Sequence, residues 1–195
     1  LRYFVAGGVL AASGIPIAWQ FLRDYQKERI LTFLNPDADP LGAGYHILQS
    51  KIALGSGGLF GRGFLHGTQS HLSFLPEHQT DFIFTMLAEE LGLVGAMVLI
   101  GLYIMLFAYG FAISLRARNH FGRLLGIGLT TTLFLYVFIN IAMVIGLIPV
   151  VGVPLPLISC GGTAMMTVLF SLGLLMCVFV HRDEQISRSQ SQDIS

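Results

Sequence analysis

The residue whose type and setting point most directly to chemistry is Asp81. It opens a long apolar run, in the stretch Leu75-Pro76-Glu77-His78-Gln79-Thr80-Asp81-Phe82-Ile83-Phe84. A carboxylate at the edge of an apolar segment is costly and usually functional. Its competing role is a helix start, in which Thr80 or Asp81 caps free N–H groups and opposes the dipole. Upstream lies a glycine cluster, Gly55-Ser56-Gly57-Gly58-Leu59-Phe60-Gly61-Arg62-Gly63. Consecutive backbone N–H groups there are able to face a phosphate, with Arg62 or Lys51 adding charge. The cluster matches neither a Walker nor a dinucleotide-binding pattern, so flexible turns are the competing reading. His66, His71 and His78, with Glu77 and Asp81, lack the HxxxH or HExxH spacing of a metal site, and no metal is assigned to them. Glu89 and Glu90 lie further into the apolar run and are read as structural.

Those residues must be positioned by elements that composition restricts. Of 195 residues, 54% are hydrophobic and 11% charged, and mean hydropathy is +0.72. Soluble domains carry about 25% charge, so the chain reads as a membrane protein. The formal net charge is zero, which gives no basic surplus for nucleic acid. A crossing takes about 20 apolar residues. Tyr3–Leu22 is one candidate, kinked at Ser13-Gly14-Ile15-Pro16. The charge-free run Leu91–Leu115 anchors a second helix, 83–115. Residues 124–181 carry no Asp, Glu, Lys or Arg. That is too long for one crossing, and Pro149, Gly152, Pro154, Pro156 and Gly161-Gly162 divide it into helices 124–148 and 161–180. The expected class is an all-α polytopic membrane protein with four transmembrane helices.

Arg116, Arg118 and Arg123 in the short loop 116–123, with Arg2, Arg182 and Arg188 near the ends, mark the cytoplasmic side. The long segment 23–80 and the short turn 149–160 then lie outside, and the tail 181–195 inside. Five basic residues in 23–80 run against this assignment, but long loops are weaker guides. Within the loop, Asn35-Pro36 and Asp39-Pro40 read as turns. Gly44–Leu54 reads as a short helix bearing Gln49, Ser50 and Lys51. Cys160 and Cys177, if on one helix, lie about 25 Å apart, beyond the roughly 7 Å a disulfide spans. The chain starts at Leu1 and is read as a piece of a longer protein.

A specific resemblance then emerges. Asn35-Pro36-Asp37-Ala38-Asp39-Pro40-Leu41-Gly42-Ala43-Gly44-Tyr45, Gln49-Ser50, the glycine cluster and the 75–84 stretch together resemble the large extracytoplasmic loop of SEDS proteins. Asn140, Gly146, Pro149, Gly152, Ser159 and Gly161-Gly162-Thr163-Ala164 fall at the spacing of that family's C-terminal signature. Cys160 departs from it, standing where Tyr, Ser or Ala is usual. Arg29-Ile30-Leu31-Thr32-Phe33-Leu34-Asn35-Pro36 and Gly67-Thr68-Gln69-Ser70-His71 resemble the elongation branch more than the division branch.

The resemblance implies the last four helices of a ten-helix fold and a peptidoglycan glycosyltransferase of the bacterial inner membrane. Such an enzyme polymerises lipid II during elongation and shape maintenance, beside a class B penicillin-binding protein and the elongation machinery. The family's essential loop aspartate maps onto Asp81. In that reaction the 4-hydroxyl of N-acetylglucosamine attacks C1 of N-acetylmuramic acid, and a lipid pyrophosphate leaves. Asp81 suits the general base. Lys51, Arg62 or a divalent cation (Mg²⁺ or Mn²⁺, held by Asp81 or Glu77) would stabilise the leaving group. Gln49, Ser50, Gln69, Glu77 and Thr80 complete the candidate substrate-binding set. The rival readings are a lipid II flippase and a non-catalytic scaffold for a transpeptidase. Small residues Gly92, Gly95, Gly101, Gly126 and Gly128 mark helices 83–115 and 124–148 for docking the partner's single helix.

Overall fold

The computed structural model describes residues 19–35, 43–63 and 81–183. Among these the regular structure is entirely helical, with five helices: α1 (Asp24–Leu34), α2 (Ala43–Ser56), α3 (Ile83–Arg116), α4 (His120–Ile145) and α5 (Gly162–Val180). The last three are long and apolar enough to cross a membrane. The candidate crossing 3–22 lies outside the described residues up to residue 18.

α3 is broken. Gly92 has φ 70° and ψ −165°, a left-handed conformation inside a 34-residue helix. Its charge-free part, Leu93–Leu115, rises about 35 Å, enough for a hydrocarbon core of about 30 Å. Residues 83–91 therefore form a separate half-helix, and Glu89 and Glu90 ride on it. A break leaves backbone groups without helical partners, and buried ones must find others.

The glycine cluster supplies them. The amides of Arg62 and Gly63 donate to the carbonyls of Glu89 and Glu90 at 3.1 and 3.2 Å. The amides of Leu93 and Val94 donate to the carbonyls of Gly58 and Leu59 at 3.0 and 3.2 Å. Two irregular backbones are thus spliced together, which requires glycine at the closest points. A Cβ on Gly61 would collide with the Glu90 carbonyl, and one on Gly92 with the backbone of residues 59–61.

α4 differs from the expected 124–148 at both ends. Asn119 accepts the Phe121 amide at 3.0 Å and starts the helix early. Gly146, in the left-handed conformation, stops it. Its amide reaches the Met143 carbonyl, and the Leu147 amide reaches Ala142. α3 and α4 pack closely through reciprocal small residues. A Cβ on Gly110 would lie 2.7 Å from the Thr130 hydroxyl, and one on Gly126 would strike Ser114. Close approach of this kind supplies van der Waals contact where lipid offers no hydrophobic drive. Gly126 is consumed by this packing and Gly92 by the splice, so neither is available to a partner helix; Gly101 and Gly128 face open space. At the far end of the bundle, the Arg118 amide donates to the Arg182 carbonyl, and Arg118 lies 3.8 Å from Asp183. The connectors flanking α4 therefore sit at opposite ends, with 149–161 on the same side as Asp81.

Candidate active site

Asp81 stands one residue ahead of Phe82, the N-cap of α3, and is 7% exposed. Its surroundings come from three other elements. On α4, the fully buried Asn140 donates from Nδ2 to the Asp81 carbonyl at 2.9 Å and to the Val153 carbonyl at 2.6 Å. Both amide protons of one side chain thus join the head of α3 to the α4–α5 connector. From that connector, Gly152 (φ 77°) presses its α-carbon toward the carboxylate. A Cβ there would lie 3.2 Å from Asp81 Oδ2. The amides of Val151 and Gly152 point at the buried Met143 thioether, at 3.2 and 3.4 Å from Sδ. From α1, Arg29 Nη1 donates to the carbonyls of Val150 and Val151 at 3.0 and 3.3 Å.

The other candidates divide. Lys51 and Arg62 are exposed, as a role toward an anionic ligand requires. Arg62 is oriented by its Nε bond to the Ser56 carbonyl at 3.3 Å. Gln49 is half-buried on α2. Ser50 is a correction. It is wholly buried and donates to the Val144 carbonyl at 3.1 Å, so it ties α2 to α4 instead of meeting a substrate. The phosphate-cradle reading of the glycine cluster is corrected too, because the amides of Gly61, Arg62 and Gly63 are occupied by protein carbonyls. Gln69, Glu77 and Thr80, with His66, His71 and His78, lie outside the described residues. Among the described residues no three of His, Cys, Asp and Glu gather as metal ligands. Cys160 and Cys177 are both free.

The sequence alone assigned no role to Arg29 or Met143; Asn140 entered only as part of a signature, and Gly152 as part of that signature and as a helix breaker. Asn140 carried a usable signal, since a lone amide in an otherwise apolar crossing demands partners. Met143 carried none, because a methionine in an apolar run reads as core, and Arg29 none, because its partners lie more than a hundred residues away.

The bundle of apolar helices and the enclosed carboxylate at its end define the class, and comparison with known proteins agrees. The model of the cell cycle protein family FtsW/RodA/SpoVE matches residues 1–184. The chain is 57% identical over 182 residues to the peptidoglycan glycosyltransferase MrdB of Escherichia coli (strain K12), covering 93% of this chain and 49% of that protein. It is 44% identical over 157 residues to the peptidoglycan glycosyltransferase RodA of Treponema pallidum (strain Nichols), covering 80% and 36%. A solved structure described as the structural coordination of polymerization and crosslinking by a peptidoglycan synthase complex matches with TM-score 0.72 at 33% identity. It covers 95% of this chain and 51% of that one. This chain belongs to the SEDS family, that of FtsW, RodA and SpoVE. It spans about half the length of the curated relatives it matches.

Proposed function

We propose that the protein containing this chain is a peptidoglycan glycosyltransferase of the RodA branch that polymerises lipid II during cell elongation. The observation that carries the reading is Asp81, 7% exposed at the start of α3, with its main-chain carbonyl held by Asn140 and its carboxylate bordered by Gly152. The names of the relatives, peptidoglycan glycosyltransferases, supply the reaction class. Asp81 takes the proton of the attacking sugar 4-hydroxyl as the bond to C1 forms, and the lipid pyrophosphate departs. Lys51 and Arg62, exposed on the same outer segment, are the described cations able to meet its charge. A bound Mg²⁺ or Mn²⁺ ion would add to that neutralisation. Asp81 is the described carboxylate placed to hold it, because such ions use one or two carboxylates plus phosphate oxygens.

In this reading the chain lies in the bacterial inner membrane, with residues 23–80 and 149–160 outside and both ends of the segment in the cytoplasm. The partner is a class B penicillin-binding protein. An apolar groove of about 230 Å³ between α3 and α4, lined by Ile100, Ile104, Phe107, Phe134, Phe138 and Ile141 among others, suits its single helix. A flippase would present the freed groups of a broken helix to its cargo. At the Gly92 break those groups are engaged by residues 58–63, which favours the polymerase. The deciding experiment is glycan synthesis from lipid II by the full-length protein in detergent, where nothing needs to cross a membrane. Polymer that disappears in Asp81→Asn supports the proposal, and polymer that persists refutes it.

A further inference from the structure

The loop that backs Asp81 is held by an uneven pair of restraints. On one side the amides of Val151 and Gly152 are received by the Met143 thioether. Thioether sulfur is a weak acceptor, so this hold alone is soft. On the other side the carbonyls of Val150 and Val151 receive Arg29 Nη1. Bonds from a guanidinium are charge-assisted and about twice as strong as neutral ones. A Cβ on Gly152, next in the chain, would lie 3.2 Å from Asp81 Oδ2, so this loop borders the carboxylate. A shift of this loop away from Asn140 and Met143 therefore removes the wall that fixes the carboxylate.

We infer that Arg29 is a positioning residue for Asp81, acting through the 150–152 loop and not through contact with substrate. The inference rests on the reading of Asp81 as the base. α1 belongs to the outer segment, whereas Asp81 and the 150–152 loop belong to the membrane bundle. Arg29 is thus a bond through which the outer segment reaches the loop that borders the carboxylate. The Arg29 Nη1 alone spans two successive carbonyls, a pair of bonds that the rigid guanidinium holds more firmly than a lysine does. A lysine ammonium, a compact charge on a flexible stem, lacks the preorganised fork.

The test uses full-length protein and compares wild type, Arg29→Ala, Arg29→Lys, Met143→Leu and Arg29→Ala/Met143→Leu, with Lys27→Ala as a control on α1. Arg29 is exposed, and Met→Leu conserves core volume, so the variants are expected to fold. Arg29→Ala should lower kcat by about ten- to a hundredfold, the scale of a small misplacement, and Met143→Leu by less, each with KM for lipid II within about twofold. Arg29→Lys should fall between wild type and Arg29→Ala. The double variant should lose less than the product of the two effects, since both act through one loop. Hydrogen exchange at the Val151 and Gly152 amides should quicken in Arg29→Ala and Met143→Leu. A raised KM with kcat preserved would show instead that Arg29 binds the anionic substrate, and wild-type kcat or fully multiplicative losses would equally overturn the inference. Unchanged exchange would do so even without an activity readout. Failure of the functional reading is separable, because it shows as polymer made by Asp81→Asn.

Discussion

The Nδ2 of Asn140 lies 2.9 Å from the main-chain carbonyl oxygen of Asp81, across 59 residues of sequence. The same nitrogen reaches Val153, so one amide group fixes the head of α3 against the connector that bounds the carboxylate. Both partners are carbonyls, which requires that donors face them. Asn140→Ala should cost about 1–3 kcal/mol for each buried carbonyl left unmade. Asn140→Asp should be worse than Asn140→Ala, because an ionised carboxylate would face two carbonyl oxygens in a buried site. Thermal denaturation of the detergent-solubilised protein checks the order of the two variants.

The backbone splice gives a second prediction. Gly61→Ala and Gly92→Ala each place a methyl against main chain at a positive φ. Strained φ alone costs about 1–3 kcal/mol, and the collision adds to it. Gly55 lies exposed in α2 with nothing within 4 Å of an added Cβ. Gly55→Ala should therefore be neutral or stabilising, by up to about 1 kcal/mol. Melting temperatures that fall for the first two variants and hold or rise for the third are expected.

The partner groove is tested by site-specific crosslinking. Ile104 and Phe138 are exposed and line the groove between α3 and α4, while Met166 and Phe170 are exposed on α5. Crosslinkers at Ile104 and Phe138 should capture the class B penicillin-binding protein, and those at Met166 and Phe170 should not. Equal capture from all four positions would deny the groove its role.

Chelation addresses the cation. Removal of divalent ions with EDTA should depress glycan synthesis, and added Mg²⁺ or Mn²⁺ should restore it. Synthesis indifferent to EDTA would leave Lys51, Arg62 and residues outside this chain to meet the pyrophosphate charge.

Much of the helical plan was legible because long charge-free runs leave few alternatives. Leu91–Leu115 had to be one crossing, and Pro149, Pro154 and Pro156 had to separate the next two. Asp81 was legible as a charge at the head of an apolar run. The break at Gly92 was not, since a glycine within an apolar helix pattern looks the same whether the helix continues or stops. Only Gly58–Gly63, about thirty residues upstream, makes the break tolerable, and that pairing is tertiary. Ser50 misled for a related reason. Its neighbours on α2 are an exposed lysine and a half-buried glutamine, and only the packing of α2 on α4 turns its hydroxyl inward. Arg29 looked like one of several surface charges until the 150–152 loop was seen beneath it.

The central claim is that the Asp81 carboxylate does chemistry. Asp81→Asn preserves size and helix-end hydrogen bonding while removing charge and basicity. In full-length protein supplied with lipid II and read by glycan-strand gels, the account predicts a loss of at least about a hundredfold, the lower end for general-base removal. Membrane insertion, melting temperature and partner capture should stay at wild-type levels. Asp24→Asn, at an exposed position on α1, should polymerise normally. Wild-type polymer from Asp81→Asn would contradict the account.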